Sequence, residues 1–158
     1  MVRILIGASG SGKTYSIMKK LIRTQKNRKK LVIEREDYKE YSRIFSEEYI
    51  TCITLKDTDQ MEKIMDSDIY IDRPYYSEED LEQIHELTSR ARIHANNITI
   101  TCTDISDFTK TAAGNSILRN AEQIFVGRCI ADNECIIEKL SGKKLPVQKS
   151  NYDFRRIV

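Results

Sequence analysis

Eight consecutive residues near the start of the chain have the types and spacing of a phosphate-binding loop. Residues 7–14 read GASGSGKT and fit the pattern G-x-x-x-x-G-K-[ST] in full. The glycines let backbone N–H groups curl around anionic oxygens, because no Cβ obstructs the approach of a phosphate. The residues expected to contact a nucleotide are Gly7, Ala8, Ser9, Gly10, Ser11, Gly12, Lys13, Thr14 and Tyr15.

Two side chains of this loop are predicted to act on the phosphates directly. Lys13 would reach the β and γ phosphates, and Thr14 would place its hydroxyl on Mg²⁺. Both residues stand where a helix should begin, and the unpaired N–H groups and dipole of a helix N-terminus favour negative charge. The motif therefore predicts ATP and Mg²⁺ as cofactors.

The loop requires a strand before it and a helix after it, and the sequence supplies both. Residues 2–6 are apolar except for Arg3, and a helix over residues 13–25 has Ile17 and Leu21 on its inward face. Further strands are predicted at residues 31–34, 50–55, 68–72, 98–103 and 123–127. Helices are predicted at residues 35–45 (or a turn), 57–66, 78–95 with a capping box from Ser77 and Asp80, 116–121 and 132–140, with 105–114 as a loop. This alternation is typical of an α/β fold, a mainly parallel sheet with helices on both faces.

Acidic residues end two of the predicted strands. Asp72 closes strand 68–72, and a carboxylate at such a strand end holds the Mg²⁺ shell in enzymes with this loop, because a hard cation prefers oxygen ligands. Asp104 follows strand 98–103 and has two interpretations. It contacts the γ-phosphate or its attacking water, or it is a turn residue.

Length and composition narrow the class of protein. A chain of 158 residues, 40% of them hydrophobic, is predicted to form one domain with a proper core. Residues 1–142 are assigned to a P-loop NTPase domain and residues 143–158 to a basic C-terminal tail or last strand. The net charge of +2 does not by itself indicate binding to nucleic acid or to an anionic membrane. No apolar run approaches a membrane span, so a cytoplasmic protein is expected.

The order of these parts resembles the FtsK and HerA superfamily of DNA-pumping ATPases, which includes phage packaging motors and conjugation ATPases. The resemblance begins with the phosphate loop, strand 31–34 leading into residues 37–42, and strand 69–72. Residues 97–108, NITITCTDISDF, look like the sensor strand and loop of that family. Residues 115–126, NSILRNAEQIFV, look like its "iLxNa" segment.

This resemblance implies a RecA-like core in a homo-oligomeric ring, with ATP between subunits and double-stranded DNA in the central channel. Such a compact ATPase would be at home in a phage or mobile element. By position, Asp72 would serve the metal and Asp104 would be the sensor. Either Arg119 or Arg128 would be the arginine supplied to a neighbour's γ-phosphate.

The sequence departs from the family pattern at three positions. Arg73 stands where an acidic residue usually orients the attacking water, Asp104 replaces the sensor glutamine, and Gln123 stands where an arginine is expected. Substitute bases are available in Glu34, Glu78 and Glu79. Without a base we expect slow hydrolysis, since water positioning and charge stabilisation supply nearly all of the catalysis in phosphoryl transfer.

Two alternative functions are consistent with the same residues. Residues 69–76, IYIDRPYY, and 103–108, TDISDF, are similar to the type II thymidine kinases, which carry "IDExQFF" and "LDxDF"-like segments at these places. Those kinases usually hold a structural zinc, and Cys129 and Cys135 are not spaced for it. The other alternative is a nucleotide-gated binding protein with little turnover, which the missing glutamate would suit.

Overall fold

The described part of the chain is organised around a seven-stranded sheet. In the computed structural model, the described residues are 1–23, 28–37, 39–48, 50–57, 61, 63–129, 131–147, 150 and 153–157. The strands are β1 (Val2–Ile6), β2 (Lys29–Ile33), β3 (Thr51–Ile53), β4 (Ser67–Ile71), β5 (Asn97–Cys102), β6 (Gln123–Val126) and β7 (Arg155–Arg156). Their order across the sheet is β3-β2-β4-β5-β1-β6-β7, and all neighbours are parallel except the antiparallel pair of β6 and β7.

Helices connect the strands and cover both faces of the sheet. They are α1 (Lys13–Arg23), α2 (Glu40–Ile44), α3 (Glu78–Arg90), α4 (Ile105–Thr109), α5 (Ala112–Asn120) and α6 (Ala131–Ser141). On one face, Ile17 and Leu21 of α1 pack in a cluster with Leu5 of β1. On the other face, helices α3 to α6 bury their apolar side chains against Ile4 and Ile6. The predicted α/β architecture with helices on both faces is therefore confirmed.

The central strands are apolar because both of their faces are covered. Ile4, Ile6, Ile69 and Ile71 have no solvent exposure, and full burial of each side chain contributes about 1.5–3 kcal/mol. Strands buried on both faces read as continuous hydrophobic runs, as the sequence of β1 does. This rigid centre fixes the loops at the ends of the strands.

Strand β5 lies between β1 and β4, and this order decides which strand ends meet. Ile4 is level with Ile100 of β5, and Ile100 is level with Ile71 of β4. The carboxyl ends of parallel strands face the same edge of a sheet, where ligands bind in open α/β folds. The residues after β1, β2, β4 and β5 consequently share one side of the molecule.

The segment predicted as a loop at residues 105–114 is helical instead. Two capping residues explain the difference: Asp104 accepts a hydrogen bond from the N–H of Ser106 at 2.9 Å, and Thr111 accepts one from Gly114 at 3.0 Å. Asp and Thr are favoured N-cap residues, so α4 and α5 each have a local start signal. Gly114 permits their close contact, because a Cβ there would lie 2.2 Å from the Phe108 carbonyl oxygen.

Other predicted elements occur with shifted ends. The capping box of Ser77 and Asp80 is present at the start of α3, which ends at Arg90 rather than near residue 95. The strand predicted at 50–55 is shortened to β3. Residues 24–27 at the end of the first predicted helix, and residues 58–60 and 62 within the helix predicted at 57–66, lie outside the described residues. Among the helices that are described, none combines the length and apolar character needed to cross a membrane.

The last strand, β7, is tied to the body of the protein by Arg155. Its guanidinium is buried and donates to the carbonyl oxygens of Val126, Gly127 and Pro146. It also pairs with Glu134 of α6 at 3.0 Å. Residues 153–157 therefore contribute a strand and a buried polar network to the sheet.

Candidate nucleotide-binding site

The loop after β1 has the shape that its glycines predict. The Gly7 N–H donates to the Cys102 carbonyl at 2.9 Å, which fixes the start of the loop against β5. Gly10 and Gly12 have φ angles of 74° and 89°, a backbone conformation that is strained for residues other than glycine. The chain then enters α1 at Lys13.

Several hydrogen-bond donors of this loop have no acceptor within the described residues. The N–H groups of Gly12, Lys13 and Thr14 are free, as expected for the first turn of a helix. The Ser11 hydroxyl is buried and also without a partner. Free N–H groups at a helix N-terminus form an anion site, so the loop fits a phosphate group.

Lys13 is held across the loop. Its ammonium donates to the carbonyl oxygens of Gly7 and Ala8, at 2.6 and 3.1 Å, and the residue is 8% exposed. Burial lowers the pKa of Lys13, and the nearby negative charge of Asp72 partly offsets that shift. A desolvated cation at this position is suited to bind a phosphate oxygen.

The loop forms one wall of a cleft of about 450 Å³. The lining residues are Ser9, Gly10, Gly12, Lys13, Thr14, Tyr15, Glu34, Arg35, Glu40, Tyr41, Asp72, Arg73, Pro74 and Thr103. Of the nine residues expected to contact a nucleotide, Gly7, Ala8 and Ser11 lie behind this surface and shape the loop from within.

Asp72 lies on the opposite wall with both carboxylate oxygens hydrogen-bonded. Oδ2 accepts from the Tyr41 hydroxyl at 2.6 Å, and Oδ1 accepts from Thr101 Oγ1 at 2.8 Å. The Tyr41 hydroxyl has a raised pKa because it is buried and lies beside Asp72. Tyr41 is therefore a donor toward this carboxylate at all physiological pH values.

Two further carboxylates share this wall. Glu34 is 4% exposed, comes directly after β2, and accepts from the N–H groups of Tyr41 and Ser42 at 3.0 and 3.4 Å. Glu40 begins α2, and its pKa is raised, first by burial and then by the charges of Asp72 and Glu34. The wall is consequently acidic, opposite a loop that attracts anions.

Thr14 and Asp72, the residues predicted to bind a magnesium ion, both line the cleft. Both offer oxygen atoms, which Mg²⁺ prefers, and both line the same space. No group of three carboxylate, histidine or cysteine side chains among the described residues is arranged to hold a metal by itself. The donor set therefore fits Mg²⁺ that keeps water and phosphate oxygens as most of its ligands.

The remaining residues predicted to act on the nucleotide lie in different places. Asp104 caps α4, while the neighbouring Thr103 lines the cleft. Arg128 donates to the Ser9 carbonyl at 3.3 Å, beside the loop of its own chain. Arg119 lies on a separate cavity of about 270 Å³ near α5 and α6. Of the three substitute bases, only Glu34 lines the cleft, since Glu78 and Glu79 are exposed in the first turn of α3.

Sequence reasoning did not identify Tyr41, Glu40 and Arg35 as site residues. Glu40 and Tyr41 line the cleft because α2 folds back over the end of β2, where Glu34 accepts hydrogen bonds from its first N–H groups, and Arg35 lines it because it directly follows Glu34. The available signal was the acidic residue directly after a buried strand, since carboxyl ends of adjacent parallel strands converge. The helix that returns to such a residue has no motif of its own.

Comparisons with known proteins give a similarity in structure alone. No family model matches the chain, and no curated protein matches its sequence. The fold is similar to the crystal structure of B204, the DNA-packaging ATPase from Sulfolobus Turreted Icosahedral Virus, with a TM-score of 0.60 and 14% sequence identity. The match covers 87% of this chain and 80% of the viral one. The chain thus has the fold of a P-loop ATPase, at a distance that assigns no specific family.

Proposed function

We propose that this protein is a Mg²⁺-dependent ATPase of the FtsK and HerA type that couples ATP hydrolysis to translocation or packaging of double-stranded DNA. The observation that carries the proposal is the cleft in which the free N–H groups of Gly12, Lys13 and Thr14 face the carboxylates of Asp72 and Glu34. Phosphoryl transfer needs charge stabilisation on one side and water positioning on the other, and this cleft offers both.

The phosphates would bind to the loop. Its N–H groups would donate to the β and γ phosphate oxygens, and Lys13 would exchange its bonds with Gly7 and Ala8 for a bond to the nucleotide. Thr14 and Asp72 would hold Mg²⁺, which neutralises charge on the same oxygens when bound. Thr101 and Tyr41 keep Asp72 oriented toward the cleft.

Glu34 is our candidate for the residue that activates water. It is the buried carboxylate of the cleft, and it comes directly after β2, the strand that pairs with β4 and so lies next to Asp72. The N–H groups of Tyr41 and Ser42 fix one of its oxygens, Oε2, which leaves the other oxygen for a water molecule. Glu34 would accept the proton of the attacking water as ADP leaves with the β–γ bridging oxygen.

Action on DNA rests on the similarity in fold to a viral DNA-packaging ATPase. A homo-oligomeric ring is part of the same proposal, with Arg119 or Arg128 supplied to a neighbouring subunit. Fold alone does not determine function, so the substrate requires a direct test.

A second function, a nucleotide-gated binding protein, is favoured by two observations. Arg73 stands beside Asp72 in place of an acid, and Glu34 already accepts two backbone hydrogen bonds. If those bonds hold the carboxylate away from water, ATP binds tightly and is hydrolysed very slowly.

ATP turnover by the purified protein, with and without double-stranded DNA and with thymidine in a parallel reaction, separates these functions. Turnover that rises with DNA supports the motor. Phosphorylated thymidine would select a kinase instead, and tight ATP binding with negligible turnover in all reactions would select the gated binding protein. Absence of ATP binding would overturn the nucleotide site itself.

A further inference from the structure

Arg73, on the wall that faces the phosphate loop, has buried nitrogen atoms that lack hydrogen-bond acceptors in the described part of the chain. It comes directly after Asp72, lines the cleft, and its side chain is only 10% exposed. Nε and Nη1 are buried and have no hydrogen-bond acceptor among the described residues. A buried guanidinium with unused donors is costly, because its lost hydration is not replaced.

Asp80, which forms an ion pair with Arg73, is already engaged by another group. Asp80 Oδ1 lies 3.4 Å from Nη1, within ion-pair range but without hydrogen-bond geometry. The other oxygen of Asp80 accepts the Ser77 N–H at 2.9 Å in the capping box of α3. Asp80 therefore balances part of the charge of Arg73 but leaves Nε and Nη1 without a hydrogen-bond acceptor among the described residues.

Arg35, which also lines the cleft, and Arg128, which lies beside the phosphate loop, both have partners. Arg35 pairs with Asp37 and stacks on the Tyr75 ring, with 5.3 Å between its guanidinium carbon and the ring centroid. Arg128 donates to the loop carbonyl of Ser9. Arg73 thus differs from both in having a less exposed side chain with buried donors that lack an acceptor among the described residues.

We infer that Arg73 binds the terminal phosphate of the nucleotide from within the same chain. The inference rests on the proposed ATP site. In that site the loop would bind the phosphates on one wall of the cleft, and the terminal phosphate would face Asp72 and Arg73 on the other wall. A guanidinium forms strong charge-assisted bonds to phosphate oxygens. Arg73 would then distinguish ATP from ADP, and it would supply in cis a charge otherwise expected from a neighbouring subunit.

The test compares two nucleotides in two variants. Calorimetric affinities for a non-hydrolysable ATP analogue and for ADP are measured for the unaltered protein, Arg73→Gln and the control Arg90→Gln. Arg90 lies on α3 and pairs with Glu86 on the surface, so the control removes one arginine charge away from the cleft. We expect Arg73→Gln to weaken the ATP analogue about tenfold or more, with ADP changed less than about threefold.

Each result has a defined meaning. Equal weakening of both nucleotides, or no change in either, would refute the role of Arg73 while leaving the ATP site intact. Failure of the unaltered protein to bind any nucleotide would refute the proposed function, and this inference with it. If Arg73→Gln does not fold, as judged by circular dichroism, Arg73→Lys takes its place. That variant keeps the charge without the planar fork, so a selective loss of ATP affinity supports the inference and unchanged selectivity refutes it.

Discussion

The two walls of the cleft are built in different ways. The phosphate loop is a single stretch of eight residues whose glycines, helix start and free N–H groups depend on local backbone geometry. The opposite wall is assembled from the ends of β2, β4 and β5 and from α2, through hydrogen bonds between residues up to 31 positions apart. A wall made of one sequence motif has the same functional groups wherever that motif occurs. A wall made of several strand ends changes whenever a residue at any of those ends changes.

In the proposed function, the two walls contribute differently to the binding of ATP and to its hydrolysis. The loop would supply donors for the nucleoside triphosphate, and those donors would act on substrate and product phosphates alike. The carboxylates of the facing wall would decide whether the bound nucleotide reacts, and Arg73 would bind its terminal phosphate. Substitutions on the two walls should therefore have different kinetic signatures.

The largest effect is expected from Lys13→Ala in the loop. Loss of a charge-assisted bond to phosphate costs about 2–3 kcal/mol, which weakens ATP binding by about 30- to 150-fold and removes turnover at ordinary ATP concentrations. Calorimetry measures the affinity, with Lys19→Ala as the control, because Lys19 is an exposed residue of the same helix. Unchanged ATP affinity in Lys13→Ala would overturn the assignment of the phosphate loop.

Glu34→Gln should affect the facing wall alone. We expect turnover to fall about 100-fold or more because the proton acceptor is lost, while ATP affinity stays within about threefold. The amide retains one oxygen to accept from Tyr41 and Ser42, so α2 should remain in place. Glu79→Gln, in the exposed first turn of α3, is the matched control. Normal turnover by Glu34→Gln would show that another residue activates the water.

Asp72→Asn should produce a smaller loss that depends on the metal. We expect Mg²⁺-dependent turnover to fall about tenfold, with nucleotide binding in the absence of Mg²⁺ mostly intact. Asp68→Asn serves as the control, since Asp68 lies on the same strand at the opposite edge of the sheet. An Asp72→Asn protein with full activity would remove Asp72 from the metal site.

The smallest effect concerns pH. The pKa of Glu40 is raised by burial and by the charges of Asp72 and Glu34, so the folded protein holds this proton more tightly than the unfolded chain does. The proton on Glu40 adds to the free energy of unfolding below the pKa of the unfolded chain, and this contribution is lost as pH rises through the pKa of the folded protein. Glu40→Gln should therefore be slightly more stable than the unaltered protein at pH 7, by less than about 1 kcal/mol because solvent screens the charge of this partly exposed residue, and equal to it near pH 3. Thermal unfolding at both pH values measures the difference, and a destabilised variant at pH 7 would contradict it.

The same contrast explains how much the sequence could predict. The phosphate loop, the flanking elements β1 and α1, and the capping box of Ser77 and Asp80 each depend on residues within a few positions of one another. Their signals are local, and the structure contains all of them. The α/β architecture was equally predictable from the alternation of apolar runs and helical periodicity.

Long-range contacts account for what the sequence could not predict. Tyr41 reaches Asp72 only because β2 and β4 are neighbours in the sheet, and nothing near residue 41 encodes that pairing. For Asp104 the local sequence is informative but fits two different roles. A polar residue after a strand has the same local appearance whether it faces a ligand or caps a helix, and here its carboxylate caps α4.

The short strand β7 has a consequence for how copies of the chain could assemble. By pairing with β6 it occupies the outer backbone groups of that strand, and Arg155 anchors it there. The opposite edge is β3, which is three residues long. Short or covered edges protect a sheet against pairing with another sheet. We therefore expect subunits of any oligomer to meet through helices and loops, so that each keeps its own sheet and can exchange partners without unfolding a strand.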